Sequence, residues 1–341
     1  CNKTNHHPLG EQHKASIILP YKLTTTKDQL TSRAGLLLPA QLMDTLSLSQ
    51  RIDRYFPQPQ SNRGFKPSVF VQTLMLMQHD ESFHLDDVRH LKEDNALRAV
   101  LGLKHLPSAT AIGDWLRRTG KHQTINTACE EVNKLLLKSA LHNCKQVTLD
   151  IDATEIIASK ADAKWTYKSN QGYMPMVGHI AQTGQVVACD FRDGNQSPNS
   201  NNLEFIIQCQ KALPEGCTVQ NLRIDAAGYQ TNIIKHCNDN GIYYTIRAVM
   251  SSVIKEAIDA TIEADWQPML NKKGEAIKGQ DTFRTVHCIG GYEEEPFTLI
   301  IQRKRLKGQA ELDLDSGLNN EEVINGHYIY RAIATSKDAD R

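Results

Sequence analysis

At Val147 the hydrophobic period of the chain changes from 3.6 to 2. The run VTLDIDATEI, from Val147 to Ile156, alternates as a β-strand does. Everything before it back to about Ala40 is patterned as helix, and the chain beyond it mixes strands with helices, so the switch divides the molecule into an all-helical part and an α/β part. The strand itself is odd. Leu149, Ile151 and Ala153 share one face, which places Asp150, Asp152 and Thr154 together on the other. Asp is depleted in strands because its short polar side chain favours turns and caps, so two carboxylates on one strand face call for a reason.

The helical part carries its own punctuation. KPSVFVQTLMLMQ opens with Pro67 and Ser68 at a helix start and continues as an apolar segment long enough to be buried. HLDDVRHLKEDNALRAVLGL spaces Leu85, Val88, Leu91, Leu97, Val100 and Leu101 at helical intervals. In LPSATAIGDWLRRTG, Ser108 is a candidate N-cap, Arg117 and Arg118 fall in the last turn, and Gly120 is a stop. Trp115 is expected in the core of that region.

After VTLDIDATEI come the strand candidates MPMVGHIAQ and QVVACDF, joined by the Thr183-Gly184 turn. Then come the helix NNLEFIIQCQKAL, the strand TVQNLRIDA, the helix TNIIKHCNDNG and the strand IYYTIRAV. That order, β-β-β-α-β-α-β, defines a mixed α/β unit. The helix SSVIKEAIDATIEADW leads into a β-rich stretch containing TFRTVHCI, FTLIIQRKRL and HYIYRAIATS.

Charge and cysteine narrow the field only a little. Formal net charge is zero. The whole-chain basicity typical of nucleic-acid binders is absent, while local patches remain open. The eight cysteines include no C-x-x-C pair, which argues against a zinc ribbon, and their low density fits a reducing cytosol. No apolar run approaches the roughly 20 residues of a membrane helix, so no membrane partner is expected.

A second aspartate repeats the oddity. NLRIDAAGY is a strand ending in Asp225 and followed by Gly228, and ligand sites of α/β folds gather at strand ends. Two carboxylates brought together repel unless something compensates them. A divalent cation does so, and oxygen ligands favour Mg²⁺ or Mn²⁺ over zinc. Two such ions about 4 Å apart can activate a water or a 3′-hydroxyl in phosphodiester chemistry. A strand Asp can also be a solvent-facing residue and Asp225 a turn former, and spacing leaves both readings open.

The series LDIDAT, GYMPMVGHIAQTG, DFRDGNQSP and LRIDAAGY resembles the DDE transposases of bacterial insertion sequences. LKEDNALRAVLGLKHLPSATAIGDWLRR is similar to the helical region of the same branch, and the likeness runs from about Ala40 to Ser336. The resemblance implies an α/β, RNase-H-like mixed sheet with an N-terminal all-helical domain and a β-rich insertion. Residues 1–140 would form the helical, DNA-end-binding region, 141–250 the catalytic core, 251–325 the insertion, and 326–341 a return strand. It implies two Mg²⁺ (or Mn²⁺) ions held by two aspartates and a glutamate, with Asp152 the first metal ligand and Asp225 the second. Asp150 would be a neighbour rather than a ligand. Arg192, Gly194 and Asn195 match a loop that lies beside the metals in that family. Tyr173 and Pro175 match a further element, with no role assigned. The implied partner is double-stranded DNA, at the element's ends and the target. A homodimer and a cytoplasmic, nucleoid-associated location in a bacterium belong to the same analogy.

The third carboxylate is expected on a helix after HYIYRAIATS, and no such motif precedes Arg341; with Cys1 in first place, the expectation is a truncated chain. Glu256, on the helix after IYYTIRAV, is the rival within the sequence, and Glu293, Glu294 and Glu295 read as a turn or exposed edge. Candidate DNA contacts are Arg192 and Asn195, then Arg223, which shares the face of Asp225. Two basic patches add Arg117, Arg118 and Lys121, and Arg303, Lys304, Arg305 and Lys307. The expected function is Mg²⁺-dependent cleavage and strand transfer. The alternatives are an RNase-H-like nuclease, or a remnant that binds element ends without cutting them.

Overall fold

The computed structural model describes residues 26–61, 63–290, 293–306 and 327–337, together with the backbone of 17–18, 21–22 and 322–325. Lys307 lies outside the described residues. The chain divides into two compact units, Cys1–Ala128 and Cys129–Arg341. The division falls inside a helix, α7 (Ile125–Ala140), rather than at that helix's end, where the sequence pattern puts it.

Among the described residues the first unit holds a short ribbon, β1 (Ile17–Ile18) with β2 (Tyr21–Lys22), and the α-helices α1 (Leu37–Thr45), α2 (Leu48–Tyr55), α3 (Pro67–His79), α4 (Val88–Glu93), α5 (Asn95–Val100) and α6 (Ala109–Gly120) ahead of α7. Pro67 occupies the first turn of α3, where its missing N–H costs nothing. Ser108 caps α6 by accepting the Ala111 N–H at 3.2 Å. Phe70, Leu76, Leu91, Leu97, Ile112 and Trp115 meet in one apolar cluster, and Trp115 stacks on Phe70 with ring centroids 4.8 Å apart.

The second unit is built on a large mixed sheet. Its strands are β3 (Gln146–Ala153), β7 (Met176–Ile180), β8 (Val186–Asp190), β9 (Thr218–Ile224), β10 (Tyr243–Ala248), β11 (Gln267–Leu270), β12 (Ala276–His287), β13 (Phe297–Arg305), β14 (Glu322–Asn325) and β15 (Tyr328–Thr335). They lie in the order β11-β12-β13-β15-β10-β9-β3-β7-β8, with β14 beside β15. β9 runs parallel to both β3 and β10, while β7, β8 and β11–β15 pair antiparallel with their neighbours. Period 2 sends Leu149, Ile151, Leu222, Ile224, Tyr244 and Ile246 to one buried face. There they pack with side chains of α7, α8 (Asn202–Ala212), α9 (Thr231–Asp239) and α10 (Ser252–Ala260).

Two features were not legible in the sequence. The β-rich stretch 251–325 continues the main sheet: β13 pairs with β15 from Thr298↔Thr335 to Arg305↔Tyr328, and β15 pairs with β10. Leu299, Ile301, Ala332 and Ala334 are therefore buried in the same core as β3 and β9. In addition a small sheet, β4 (Ile156–Ile157), β5 (Lys164–Trp165) and β6 (Gln171–Tyr173), forms directly beyond the end of β3, in the order β4-β6-β5. Its strands are too short to show a period. Among the described residues no helix is long and apolar enough to cross a membrane.

Candidate functional site

The face of the sheet opposite the helices carries the polar residues. β3 and β9 are parallel neighbours with Asp150 beside Arg223 and Ile151 beside Ile224, so Asp152 and Asp225 come next at the carboxyl ends of adjacent strands. Strand spacing there is about 4.8 Å. Both aspartates line one cleft of about 550 Å³, together with His179, Arg223, Arg247 and Arg331.

Asp225 directly follows β9 and caps a 3₁₀ turn, Ala226–Gly228, accepting the Ala227 N–H at 3.0 Å. Gly228 is required there, because a Cβ would sit 2.2 Å from Ile224 Cγ2. Burial pushes the Asp225 carboxyl above its ordinary range, and the charge of Asp152 pushes the same way. The Ala227 amide and the Arg247 guanidinium pull it down without cancelling the rise. Mutual repulsion of this kind is what a shared divalent cation relieves, and carboxylate oxygens are the donors Mg²⁺ and Mn²⁺ prefer. The pair fits part of such a site. Among the described residues no group of three or more His, Cys, Asp or Glu side chains stands where it could hold an ion.

Asp150 has other employment. Arg223 donates to it from Nε at 2.5 Å and from Nη2, and His179 Nε2 lies 3.5 Å from its Oδ2. The row His179–Asp150–Arg223 thus ties β7, β3 and β9 together below the two terminal aspartates. Bonding to Asp150 raises the Arg223 guanidinium further above its already high value. More than half of the Arg223 side chain stays exposed, so it faces the cleft while anchored.

The remaining sequence candidates separate by burial. Arg192 is 3% exposed; it donates to Asp190 at 2.7 Å and to the Ser200 carbonyl at 2.8 Å, which corrects the expectation that it meets DNA. Arg303 is corrected likewise. It is 5% exposed, bonded through Nε to Asp281 at 2.8 Å and through Nη1 to Glu263 at 2.8 Å, with the Trp266 and Tyr328 rings 4.4 and 4.5 Å from its guanidinium carbon. Asn195, Arg118, Lys121, Lys304 and Arg305 are exposed, and Arg117 is exposed and paired with Asp114 at 2.6 Å. Gly194 is buried against backbone: a Cβ would lie 2.4 Å from the carbonyl oxygens of Gly172 and Lys164. Tyr173 bonds Asp162, and the Pro175 carbonyl accepts the Thr154 N–H. Glu256 is exposed on α10 and does not line the cleft, and Glu293, Glu294 and Glu295 are exposed before β13. The sequence reading missed His179, Arg247 and Arg331. Their signal is one of register, since each becomes a cleft residue only once its strand is aligned with β3 and β9.

A mixed sheet with helices on one face and two strand-end carboxylates in an arginine-lined cleft on the other defines an α/β protein with a charged site at the carboxyl ends of its strands. Residues 20–288 match the family model for the transposase DDE domain, group 1, and the chain belongs to that family. No curated protein matches it. Among solved structures it is similar to a piggyBac transposase synaptic complex with hairpin DNA, at 14% identity and a TM-score of 0.42, over 89% of this chain and 61% of that one. The chain thus spans 61% of the length of that transposase. A pre-cleavage Mos1 transpososome is similar at 11% identity and a TM-score of 0.21, over 65% of this chain and 78% of that one. A Marinitoga piezophila Argonaute with guide RNA matches at 10% identity and 0.22, over 69% and 30%.

Proposed function

We propose that this chain is the cutting and joining part of an insertion-sequence transposase, acting on double-stranded DNA with Mg²⁺ or Mn²⁺. One observation carries the reading: Asp152 and Asp225 stand side by side on parallel strands in a single cleft, close enough for the charge of one to raise the pKa of the other. We read β8-β7-β3-β9-β10 as an RNase-H-like core. Asp152 and Asp225 would hold the ions, which when bound supply a deprotonated water or 3′-hydroxyl and steady the leaving oxygen. Asp150 holds Arg223 at the cleft wall, where its outward edge can meet a phosphate. Arg117, Arg118, Arg305 and Asn195 are the remaining exposed candidates for positioning DNA, acting through phosphates rather than bases. A homodimer at two element ends, in the bacterial cytoplasm, belongs to the same reading.

A second reading is favoured by one feature. Of the three aspartates that line the described cleft, Asp150 is taken up by Arg223 and His179, and no third carboxylate among the described residues is grouped with Asp152 and Asp225 to hold an ion, which suits a protein that holds element ends without cutting them. The test is a gel assay on DNA carrying the element's end, with Mg²⁺ or Mn²⁺ added. The first reading expects cleavage by the parent chain and none by Asp152→Asn or Asp225→Asn, with end binding retained in both. Normal cleavage by Asp152→Asn would refute the ligand assignment. End binding without cleavage by the parent chain would favour the second reading.

A further inference from the structure

We propose that the small sheet β4-β6-β5, together with the loop after β8, is a stacking platform for unpaired nucleotides of the DNA strand held at the aspartates. The ligand's identity rests on the DNA-processing reading above; the surface itself rests on the fold. Trp165, Tyr167 and Phe191 are 66%, 64% and 64% exposed. Large aromatic rings left in water on one small sheet and the loop beside it are costly for a protein that has nothing to place on them. Register fixes the geometry. Ile156 pairs with Tyr173 and Trp165 with Gln171, so Ile156, Tyr173 and Trp165 share one face of the little sheet. Phe191 lies against Tyr173, ring centroids 5.0 Å apart.

The platform is held rigidly. Gly194 packs its backbone onto the carbonyls of Gly172 and Lys164, and the Met174 N–H donates to the Arg192 carbonyl at 2.9 Å, so the loop bearing Phe191 is pinned to the sheet. Rings fixed in advance lose little freedom when a base stacks on them.

Charge favours a nucleic-acid strand over an apolar peptide or a second copy of the chain. Lys160 and Lys168 are exposed on the segments between the strands of the small sheet, with Lys168 Nζ 5.5 Å from the Tyr167 ring centroid. Two acids among them are turned to internal bonds: Glu155 accepts from Thr166 and Asn170, and Asp162 accepts from the Tyr173 hydroxyl at 2.9 Å. Aromatic faces interleaved with lysines are how sequence-tolerant single-strand binding surfaces are made. The position also fits. Ile156 lies four residues beyond Asp152, at most about 14 Å of chain. Asp190, the residue before Phe191, is level with Met176, which is level with Ala153. A strand with a phosphate at the aspartates reaches the rings within about four stacked nucleotides of roughly 3.4 Å each.

The chain contains three tryptophans, and the other two, Trp115 and Trp266, are 5% and 9% exposed. Solvent-quenchable emission therefore reports Trp165. The experiment titrates the whole chain with a (dT)₁₂ oligonucleotide without divalent ions, reading tryptophan emission and, separately, oligonucleotide anisotropy. Saturable quenching is expected. Trp165→Phe should lose the signal and keep the affinity, whereas Trp165→Ala, Tyr167→Ala and Phe191→Ala should each weaken binding about five- to a hundredfold. Absence of quenching, equal quenching by a blunt duplex, or emission already shielded before DNA is added in a sample whose light-scattering mass is doubled would each overturn the proposal. A chain that cleaves with Mg²⁺ but shows no quenching sinks the platform alone. Quenching without cleavage sinks the cutting reading and leaves the platform standing.

Discussion

Arg303→Met keeps most of the length and apolar stem of the side chain and removes its charge. The parent guanidinium lies between two aromatic rings and bonds Asp281 and Glu263. Removing one partner of a buried ion pair costs about 3–5 kcal/mol, because the other is left uncompensated. Two discounts apply here. Glu263 is largely in water and recovers its hydration, and Asp281 is a quarter exposed. Against them stands the loss of two cation–π contacts, about 0.5–2 kcal/mol each, partly replaced by sulfur–ring contacts of about 0.3–1.5 kcal/mol. The net expectation is a loss of about 3 kcal/mol. With a urea dependence of about 3 kcal/mol per molar, the unfolding midpoint falls by about 1 M. Tryptophan fluorescence reports it, since Trp266 sits under the mutated side chain and belongs to the second unit. The same variant is then tested for DNA binding at several salt concentrations. Each phosphate contact contributes about 0.9 to the slope of log affinity against log salt, and the slope should not move. An unmoved midpoint with a slope reduced by about one would show Arg303 on the DNA and refute its structural role.

Four other substitutions probe the same geometry. Asp150→Asn should retain Mg²⁺-dependent cleavage within about tenfold while losing about 1 kcal/mol of stability, because Asp150 anchors Arg223 and His179 rather than an ion; cleavage as dead as in Asp152→Asn would make Asp150 a ligand. Asp225 has a folded pKa above its ordinary value of 3.8, so its contribution to stability is present below that value and lost as pH rises through the raised one; in metal-free protein Asp225→Asn should flatten this decline, read as urea midpoints from pH 4 to 7, and an unchanged slope would contradict it. Gly194→Ala should cost about 1–3 kcal/mol, since its methyl meets two carbonyl oxygens at 2.4 Å, and a thermal melt within a degree of the parent's would count against that packing. Arg118→Gln should leave stability within about 0.5 kcal/mol and lower the DNA salt slope by about one, and an unchanged slope removes Arg118 from the interface.

What the sequence could reveal was set by how far each inference had to reach. Period 2 needs only neighbours in the chain, so the common face of Asp150 and Asp152, and the strand-end place of Asp225, are readable from VTLDIDATEI and NLRIDAAGY alone. The burial of Arg303 is not readable in that way. It depends on Glu263, Trp266, Asp281 and Tyr328, which come from other strands and turns, and RKR at a strand end has the same composition whether it faces solvent or an aromatic clamp. Arg192 was obscured for the same reason: although Asp190 is its near neighbour at the end of β8, the Ser200 carbonyl that it also bonds reaches it only through a loop whose path is set by tertiary packing.

The continuity of the sheet has a consequence for the cleft. Had residues 251–325 formed a body of their own, Gln302 would have been remote from the aspartates. Instead β15 is wedged between β13 and β10, with Arg331 opposite Gln302 and Ile333 opposite Arg247. Both Arg331 and Gln302 thereby line the same cleft as Asp152 and Asp225. β3 and β9 bring the aspartates and Arg223 to the cleft, and β10 and β15 bring Arg247 and Arg331 to it. That gathering depends on a single unbroken ladder of strands, because register alone sets which of these residues face one another.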